Sequence, residues 1–234
     1  MTAPDDSAPI VRVENVTRTY RHGPQVVHAL QDVSLQVKAG SMVLFQGKSG
    51  SGKTTLLNVM SGLERPSAGR VTYLDRDFSR FSSREMTAWR RKEAGFIFQS
   101  FALIPGLTAI ENVDLAARLS GRSPRAAKKL SEEYLHALGI LERADHRVAE
   151  LSGGEQQRVA VARGLASAPT VLFADEPTGE LDHAMSRTVM NLLREAVDRS
   201  GATVCLTSHD PAVRAFADTA YTLADGRIST GQEV

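Results

Sequence analysis

The fold is decided by one stretch of the sequence, Gly47-Lys48-Ser49-Gly50-Ser51-Gly52-Lys53-Thr54. It follows a short apolar run at 42–45 and leads into a helical pattern that stops at Gly62. Glycines allow consecutive backbone N–H groups to curl around phosphate oxygens without a side-chain clash, and the positive end of the following helix points at the anion. The spacing G-x-x-x-x-G-K-[ST] therefore predicts a phosphate-binding loop between a buried strand and a helix.

Side chains of this loop complete the predicted phosphate site. Lys53 adds a positive charge that reaches the β and γ phosphates of a nucleotide, and the hydroxyl of Thr54 coordinates Mg²⁺. We expect the nucleotide to bind along the whole loop and the first turn of the helix, at Gly47, Lys48, Ser49, Gly50, Ser51, Gly52, Lys53, Thr54 and Thr55.

A second strand pattern, the apolar run at 171–174, ends in two carboxylates, Asp175 and Glu176. In a parallel sheet the carboxyl end of this strand lies at the edge where the phosphate-binding loop opens. There Asp175 would hold Mg²⁺ through its water shell, and Glu176 would accept a proton from an attacking water molecule. An isolated Asp-Glu pair more often starts a surface turn, but the phosphate-binding loop in the same chain favours the catalytic interpretation.

Composition excludes several classes of protein. The chain has 234 residues, of which 42% are hydrophobic and 24% are charged, so it can bury a core and does not have the composition of a disordered chain. A net charge of +1 gives no support for binding nucleic acid through bulk charge. The one cysteine, Cys205, lies in an apolar run and is interpreted as a buried strand thiol.

The sequence offers no candidate for a membrane span. Its longest uncharged stretch, at 95–110, holds 16 residues and is interrupted by Pro105-Gly106, whereas a spanning helix needs about 20. The first nine residues are small, acidic and proline-containing, and they are expected to be flexible. We therefore expect membrane contact only through a partner.

Patterns along the chain favour an α/β fold. The opening third alternates as strands do, a middle block at about 86–166 is helical, and the final third alternates strand and helix, with a hairpin about Asp225-Gly226. Within the block, Ser123 and Pro124 are typical of a helix start. Buried strands alternating with helices predict a parallel sheet with ligands at its carboxyl edge.

A further motif, Leu151-Ser152-Gly153-Gly154-Glu155-Gln156-Gln157-Arg158, resembles the signature motif of ABC-type ATPases. Other residues stand where that family has functional positions. Gln99 resembles the family's glutamine loop, Asp182 its aspartate loop, and His209 its switch histidine. Tyr20 resembles the aromatic residue that stacks on adenine. The resemblance covers about residues 10–228.

This resemblance implies a P-loop NTPase fold with a parallel-sheet core, an N-terminal antiparallel β subdomain and an inserted α-helical subdomain. The ATPase domain would span 10–228, between a flexible N-terminus at 1–9 and a C-terminal tail at 229–234. The resemblance also implies an ATP-binding and ATP-hydrolysing subunit that forms a head-to-tail homodimer on ATP. The signature of one subunit would then cover the γ-phosphate held by the other.

The resemblance assigns a role to each motif. Catalysis is expected from Glu176, His209 and Gln99, and Mg²⁺ ligation from Thr54, Gln99 and Asp175. Further contacts to ATP are expected from Tyr20, Ser152, Gly153, Gly154, Glu155 and Asp182.

The residues around Gln99, at 98–105 and 107–113, narrow the resemblance to the group of lipoprotein-releasing and macrolide-export ATPases. That group implies a separate transmembrane permease and a peripheral location on the cytoplasmic face of the plasma (inner) membrane. The apolar residues Phe101, Ile104 and Leu107 are the predicted docking surface for the permease, although they could equally be core. One position departs from the group, which usually has asparagine where this chain has Glu180.

Three alternatives to an exporter or extractor differ in how well the sequence supports them. The same ATPase could act as a switch that signals across the membrane to a cell-wall hydrolase without transport. An ABC ATPase acting on ribosomes or DNA usually carries two cassettes or a long coiled-coil insertion, for which 234 residues leave no room, so no nucleic-acid partner is expected. A phosphate-transferring kinase has no use for the signature motif.

Overall fold

Strands and helices alternate along most of the chain in the computed structural model, which describes residues 9–233. All but the last residue of the expected flexible segment 1–9 therefore lie outside the described residues. In chain order the elements are β1 (Val11–His22), β2 (Gln25–Val37), β3 (Met42–Gln46), α1 (Lys53–Met60), β4 (Ala68–Tyr73), β5 (Arg76–Asp77), α2 (Ser83–Glu93), β6 (Ala94–Ile97), α3 (Ala109–Leu119), α4 (Pro124–Ala137), α5 (Gly153–Ala166), β7 (Val171–Asp175), α6 (His183–Ser200), β8 (Thr203–Thr207), β9 (Thr219–Ala224) and β10 (Arg227–Glu233).

A six-stranded sheet in the order β10-β9-β3-β8-β7-β6 forms the centre of the fold. All neighbouring pairs from β9 to β6 are parallel, and only the edge pair β10-β9 is antiparallel. The register sets Thr207 of β8 opposite both Phe45 of β3 and Asp175 of β7. The carboxyl ends of these strands therefore meet at one edge, as the sequence predicted.

The central strands are mainly apolar because both faces of the sheet are covered. Alternate residues of β3 enter opposite cores, with Met42 and Leu44 on the side of α3–α6, and Val43 and Phe45 on the side of α1 and the N-terminal sheet. This is the burial expected of a parallel sheet between two helical layers. Cys205 of β8 is buried as predicted, and burial raises the pKa of its thiol to about 12.

The N-terminal strands form a separate four-stranded sheet in the order β2-β1-β4-β5, antiparallel throughout. Its apolar face, which includes Val11, Val13 and Val16 of β1, packs in one core with Leu56 and Met60 of α1. This arrangement confirms the expected N-terminal antiparallel β subdomain.

The segment 86–166 holds most of α2 and all of α3, α4 and α5, but it also contributes β6 to the central sheet, where Gly95 pairs with Leu172. A four-residue strand is too short to show a period in the sequence. Gly95 permits the close approach of β6 to α5, since a Cβ atom there would lie 2.9 Å from the carbonyl oxygen of Gly164. As expected, α4 begins after Ser123, whose hydroxyl accepts a hydrogen bond from the Ala126 N–H.

At the C-terminal end, β9 and β10 form the predicted hairpin. Asp225 and Gly226 both have positive φ, 48° and 73°, as a tight turn between antiparallel strands requires. Strand β10 continues to Glu233, so residues 230–233 of the expected tail 229–234 pair with β9. Main-chain pairing along a sheet edge needs no apolar side chains, and the sequence pattern therefore gave no sign of it. Among the described residues, no helix is long and apolar enough to cross a bilayer.

Replacement of a central-strand residue tests this packing. Leu206 of β8 is fully buried, and Leu206→Ala is expected to lower the free energy of unfolding by about 2–5 kcal/mol because it leaves a cavity. Urea unfolding measures the change. Val27→Ala, at a side chain of β2 that is 51% exposed, is the control and should have a much smaller effect. Equal losses for the two variants would contradict the assigned core.

Candidate active site

The carboxyl ends of β3, β6, β7 and β8 surround a cavity of about 660 Å³, a volume within the usual range for small-molecule sites. The loop after β3 supplies one wall, and the residues after the other three strands supply the rest together with Gln157 of α5. The cavity is lined by Gly47, Lys48, Ser49, Gly50, Gly52, Lys53, Thr54, Thr55, Gln99, Gln157, Asp175, Glu176, Gly179, Glu180 and His209.

Glycine is required at both ends of the loop. Gly47 and Gly52 have φ of 152° and 104°, and a Cβ atom on either would lie 2.4 Å from a backbone carbonyl oxygen, that of Leu223 or Ala29. Helix α1 then begins at Lys53 without a side-chain cap. Its first N–H groups are therefore left for an anion, which the positive end of the helix also attracts.

The amino group of Lys53 lies across this loop. Its Nζ donates hydrogen bonds to the carbonyl oxygens of Gly47 and Lys48, at 2.9 and 3.1 Å, and the residue is only 9% exposed. The carbonyl oxygens hold the ammonium group in place without neutralising its charge. The loop thus presents a nearly buried cation and uncapped N–H groups to the same cavity, a combination suited to phosphate.

Asp175 lies at the centre of a chain of hydroxyl and carboxylate oxygens. Thr54 Oγ1 donates to Asp175 Oδ2 at 2.8 Å, and Thr207 Oγ1 donates to Asp175 Oδ1 at 2.6 Å. Thr207 Oγ1 also accepts a hydrogen bond from the Glu176 N–H at 3.0 Å. Hydroxyl and carboxylate oxygens are the ligands that Mg²⁺ prefers, so Thr54 and Asp175 fit the predicted metal site.

Glu176 and His209 form a pair at the mouth of the cavity. His209 Nδ1 lies 3.0 Å from Glu176 Oε2, and the two side chains are 73% and 13% exposed. Glu176 has a φ of 49°, an unfavourable value for a residue with a side chain, which places its carboxylate just beyond β7. This geometry presents a carboxylate to the cavity and an exposed imidazole beside it.

The turn at the start of the signature, residues 152–155, does not line the cavity. Ser152 caps α5, and its N–H and hydroxyl donate to Glu155 Oε2 at 2.8 and 2.9 Å. These bonds lower the pKa of Glu155, whose carboxylate also pairs with Arg143 at 3.3 Å. The structure thus uses the Glu155 carboxylate to hold the turn. Asp182 caps α6, and its Oδ1 accepts a hydrogen bond from the Met185 N–H at 2.9 Å.

Tyr20 also lies away from the residues that line the cavity. Its hydroxyl donates to Glu64 Oε2 at 2.5 Å, and the Arg18 guanidinium lies 4.6 Å from the centre of its ring. Among the described residues that were predicted to contact the nucleotide or Mg²⁺, those that line the cavity are the loop residues other than Ser51, together with Gln99, Asp175, Glu176 and His209. The cavity does not bring in Tyr20, Ser51, Asp182 or the signature residues Ser152, Gly153, Gly154 and Glu155.

The family model described as ABC transporter matches residues 30–179 of the chain. The chain belongs to the ABC transporter family. It is 41% identical to a macrolide export ATP-binding/permease protein of Marinobacter nauticus over 97% of its own length, but it spans only 35% of that relative. It is 38% identical to the ABC transporter ATP-binding protein MJ0796 of Methanocaldococcus jannaschii, over 96% of this chain and 97% of that protein.

Solved structures agree with this assignment. A dimeric structure of the MJ0796 cassette has a TM-score of 0.92 at 38% identity and covers 95% of this chain and 98% of that one. A dimeric post-hydrolysis state of MJ0796 bound to ADP and Pi has a TM-score of 0.91 at 37% identity, with the same coverage. The P-loop NTPase fold and the ABC-type resemblance are thereby confirmed.

Two residues of the ABC cassette site were not predicted from the sequence, Thr207 and Gln157. Thr207 joins Asp175 to Glu176, a role that depends on the register between β7 and β8. Gln157 of α5 is 1% exposed and lines the cavity, and its Nε2 has no hydrogen-bond partner among the described residues. The apolar run at 204–206 marks Thr207 as a strand residue only, and the spacing of the signature does not single out Gln157 within it.

The role of Thr207 can be tested by removing its hydroxyl while keeping its shape. Thr207→Val leaves the buried Asp175 carboxylate and the Glu176 N–H each without one partner. We expect the free energy of unfolding of the cassette to fall by about 1–3 kcal/mol. Chemical denaturation measures this, and Thr207→Ser, which keeps the hydroxyl, should lose less. The assigned bonds would be contradicted if the valine variant were as stable as the serine variant.

Proposed function

We propose that this chain is the ATP-binding and ATP-hydrolysing subunit of an ABC transporter and that two copies close on ATP to drive a transmembrane permease. One observation carries the proposal. The phosphate-binding loop, Asp175, Glu176 and His209 line one cavity, whereas the signature turn of the same chain lies outside it. A complete site therefore calls for the signature of a second chain.

Roles for the loop side follow from charge and position. Lys53 and the N-terminus of α1 would bind the β and γ phosphates. Thr54, Asp175 and Gln99 would hold Mg²⁺, which neutralises phosphate charge when it is bound. Tyr20 would stack on adenine with the ring face that Arg18 leaves open.

Glu176 is the proposed general base. It is the carboxylate at the mouth of the cavity, and His209 Nδ1 lies 3.0 Å from it. A positioned carboxylate can accept the proton of an attacking water molecule, and His209 would orient the carboxylate or the γ-phosphate. Gln99 would position the water. Because phosphoryl transfer depends mainly on positioning and charge stabilisation, closure of the site would control the rate of the chemistry.

The second chain would contribute its signature turn. The capping bonds of Ser152 and Glu155 keep the start of α5 rigid, and Gly153 and Gly154 leave backbone N–H groups open to an anion. Glu180 borders this turn in its own chain, with Oε2 3.6 Å from the position of a Cβ atom on Gly153. The solved structures of MJ0796 are dimeric, which supports an assembly of two chains.

The proposed partner is a permease, reached from the cytoplasmic face of the membrane. The macrolide export ATP-binding/permease protein to which the chain is similar is about three times as long as the chain. The segment after Gln99 supplies the proposed docking surface, where Ile104 is 45% exposed. An exporter or extractor is the favoured assembly, and transmembrane signalling to a cell-wall hydrolase is the second candidate.

Blocking turnover tests the ATP-driven dimer. Glu176→Gln keeps the shape of the side chain but removes the proposed base, so it should bind ATP, lose hydrolysis and accumulate as a dimer visible by light scattering. Lys53→Ala in the same background is the matched control, because it should bind no ATP and remain monomeric. Hydrolysis at the native rate by Glu176→Gln would refute the base, and an ATP-bound variant that stays monomeric would refute the closed dimer.

The docking surface is tested separately. Ile104→Asp places a charge on the exposed apolar segment and should abolish co-purification with the permease. Leu119→Asp, at a side chain of α3 that is 55% exposed, is the matched control and should retain it. In vesicles the complex should move substrate only with ATP. ATP hydrolysis that activates a cell-wall hydrolase without substrate movement would favour the signalling candidate instead.

A further inference from the structure

Helix α5 is tied to the segment that follows Gln99 by one side chain, Arg163. Its Nη1 donates to the carbonyl oxygen of Ala102 at 2.5 Å, and its Nη2 donates to that of Phe101 at 2.7 Å. Burial lowers the pKa of Arg163. The two bonds thus place a half-buried guanidinium against two consecutive carbonyl groups, which accept two of its N–H groups but carry no opposite charge. Placing a charge in part away from water without an opposite charge costs free energy, so this arrangement points to a role for Arg163.

The two residues that Arg163 binds have unusual backbone conformations. Phe101 and Ala102 both have left-handed φ angles, 61° and 48°, which are unfavourable for residues with side chains. The bend also contains short-range bonds from the Phe101 N–H to Phe98 and from the Ala102 N–H to Ser100. A strained bend persists only when its surroundings fix it. The fork of the guanidinium, which meets both carbonyl oxygens at once, is such a restraint.

This bend begins directly after the glutamine loop residue. Gln99 lines the catalytic cavity, and only Ser100 separates it from Phe101. The conformation of the bend therefore sets where the chain leaves the cavity and how the Gln99 amide enters it. We propose that Arg163 is a positioning residue for Gln99, which acts by holding the carbonyl groups of Phe101 and Ala102 and so fixing the strained bend behind it. This inference rests on the proposed role of Gln99 in hydrolysis.

Arg163 also connects the glutamine loop to the signature turn, because Arg163 and the signature turn belong to the same helix, α5. Helix α5 has 14 residues, so it is about 21 Å long, with the signature turn at its start and Arg163 in its last turn. Gln157, buried on the same helix, lines the cavity of its own chain. A displacement of the glutamine loop in one site would therefore move the signature that the same chain offers to the other site.

Kinetics of the full chain with Mg-ATP test this role. Arg163→Met should lower kcat for hydrolysis by about 10- to 100-fold, the range expected when a reacting group is misplaced by about 1 Å, with little change in KM. Arg163→Lys keeps the charge but cannot meet both carbonyl oxygens at once. Its kcat should therefore lie between that of the wild type and that of Arg163→Met. Arg122→Met is the matched control, because Arg122 also donates to a backbone carbonyl oxygen, that of Ser167, but does not contact the bend.

A double-mutant cycle separates positioning from loss of folding. If Arg163 acts through Gln99, then Arg163→Met should lower kcat no further in a Gln99→Ala background. The lysine variant takes the place of the methionine variant in the cycle if the latter unfolds. Wild-type kcat for both Arg163 variants, or effects that multiply in the double variant, would overturn the inference. Wild-type kcat for Gln99→Ala alone would instead refute the proposed role of Gln99.

Discussion

The structure depends on how a polyanion can be held at the end of a β-strand. Backbone N–H groups meet phosphate without adding bulk, but only where the chain can approach its neighbours closely and leave a helix start uncapped. Gly47 and Gly52 meet this demand, because a Cβ atom at either would collide with a carbonyl group of an adjacent segment. Those segments are a strand on each side of the loop, β9 and β2. The phosphate-binding loop is thereby fixed by both sheets.

Once the loop is fixed, the rest of the site follows from the parallel register. Thr54, Asp175 and Thr207 come from three different segments, yet their oxygens form one hydrogen-bonded chain. Asp175 is 8% exposed, and a buried carboxylate needs such donors to offset its desolvation. The same bonds that stabilise the cavity also orient the oxygens that a divalent cation would use. Stability and the proposed chemistry therefore depend on the same few bonds here.

The sequence predicted what local pattern and spacing control. The loop, the buried strands, the start of α4 and the Asp225-Gly226 hairpin depend on neighbouring residues alone, and all are present. What it did not predict depends on contacts between distant segments. Thr207 acts through strand register, β6 is too short to show a period, and Arg163 binds a bend 61 residues earlier in the chain. The local sequence around Thr207 and around Arg163 gives no sign of these contacts.

Helix α5 is the element on which the proposed sharing of the site between two copies depends. Its first turn is closed by the capping bonds of Ser152 and Glu155, and residues 152–155 do not line the cavity of their own chain. Its last turn is anchored to its own glutamine loop through Arg163. A helix anchored in this way fixes the position of the signature turn relative to the glutamine loop of its own chain. In the proposed dimer, each chain would supply the turn that does not line the other's own cavity.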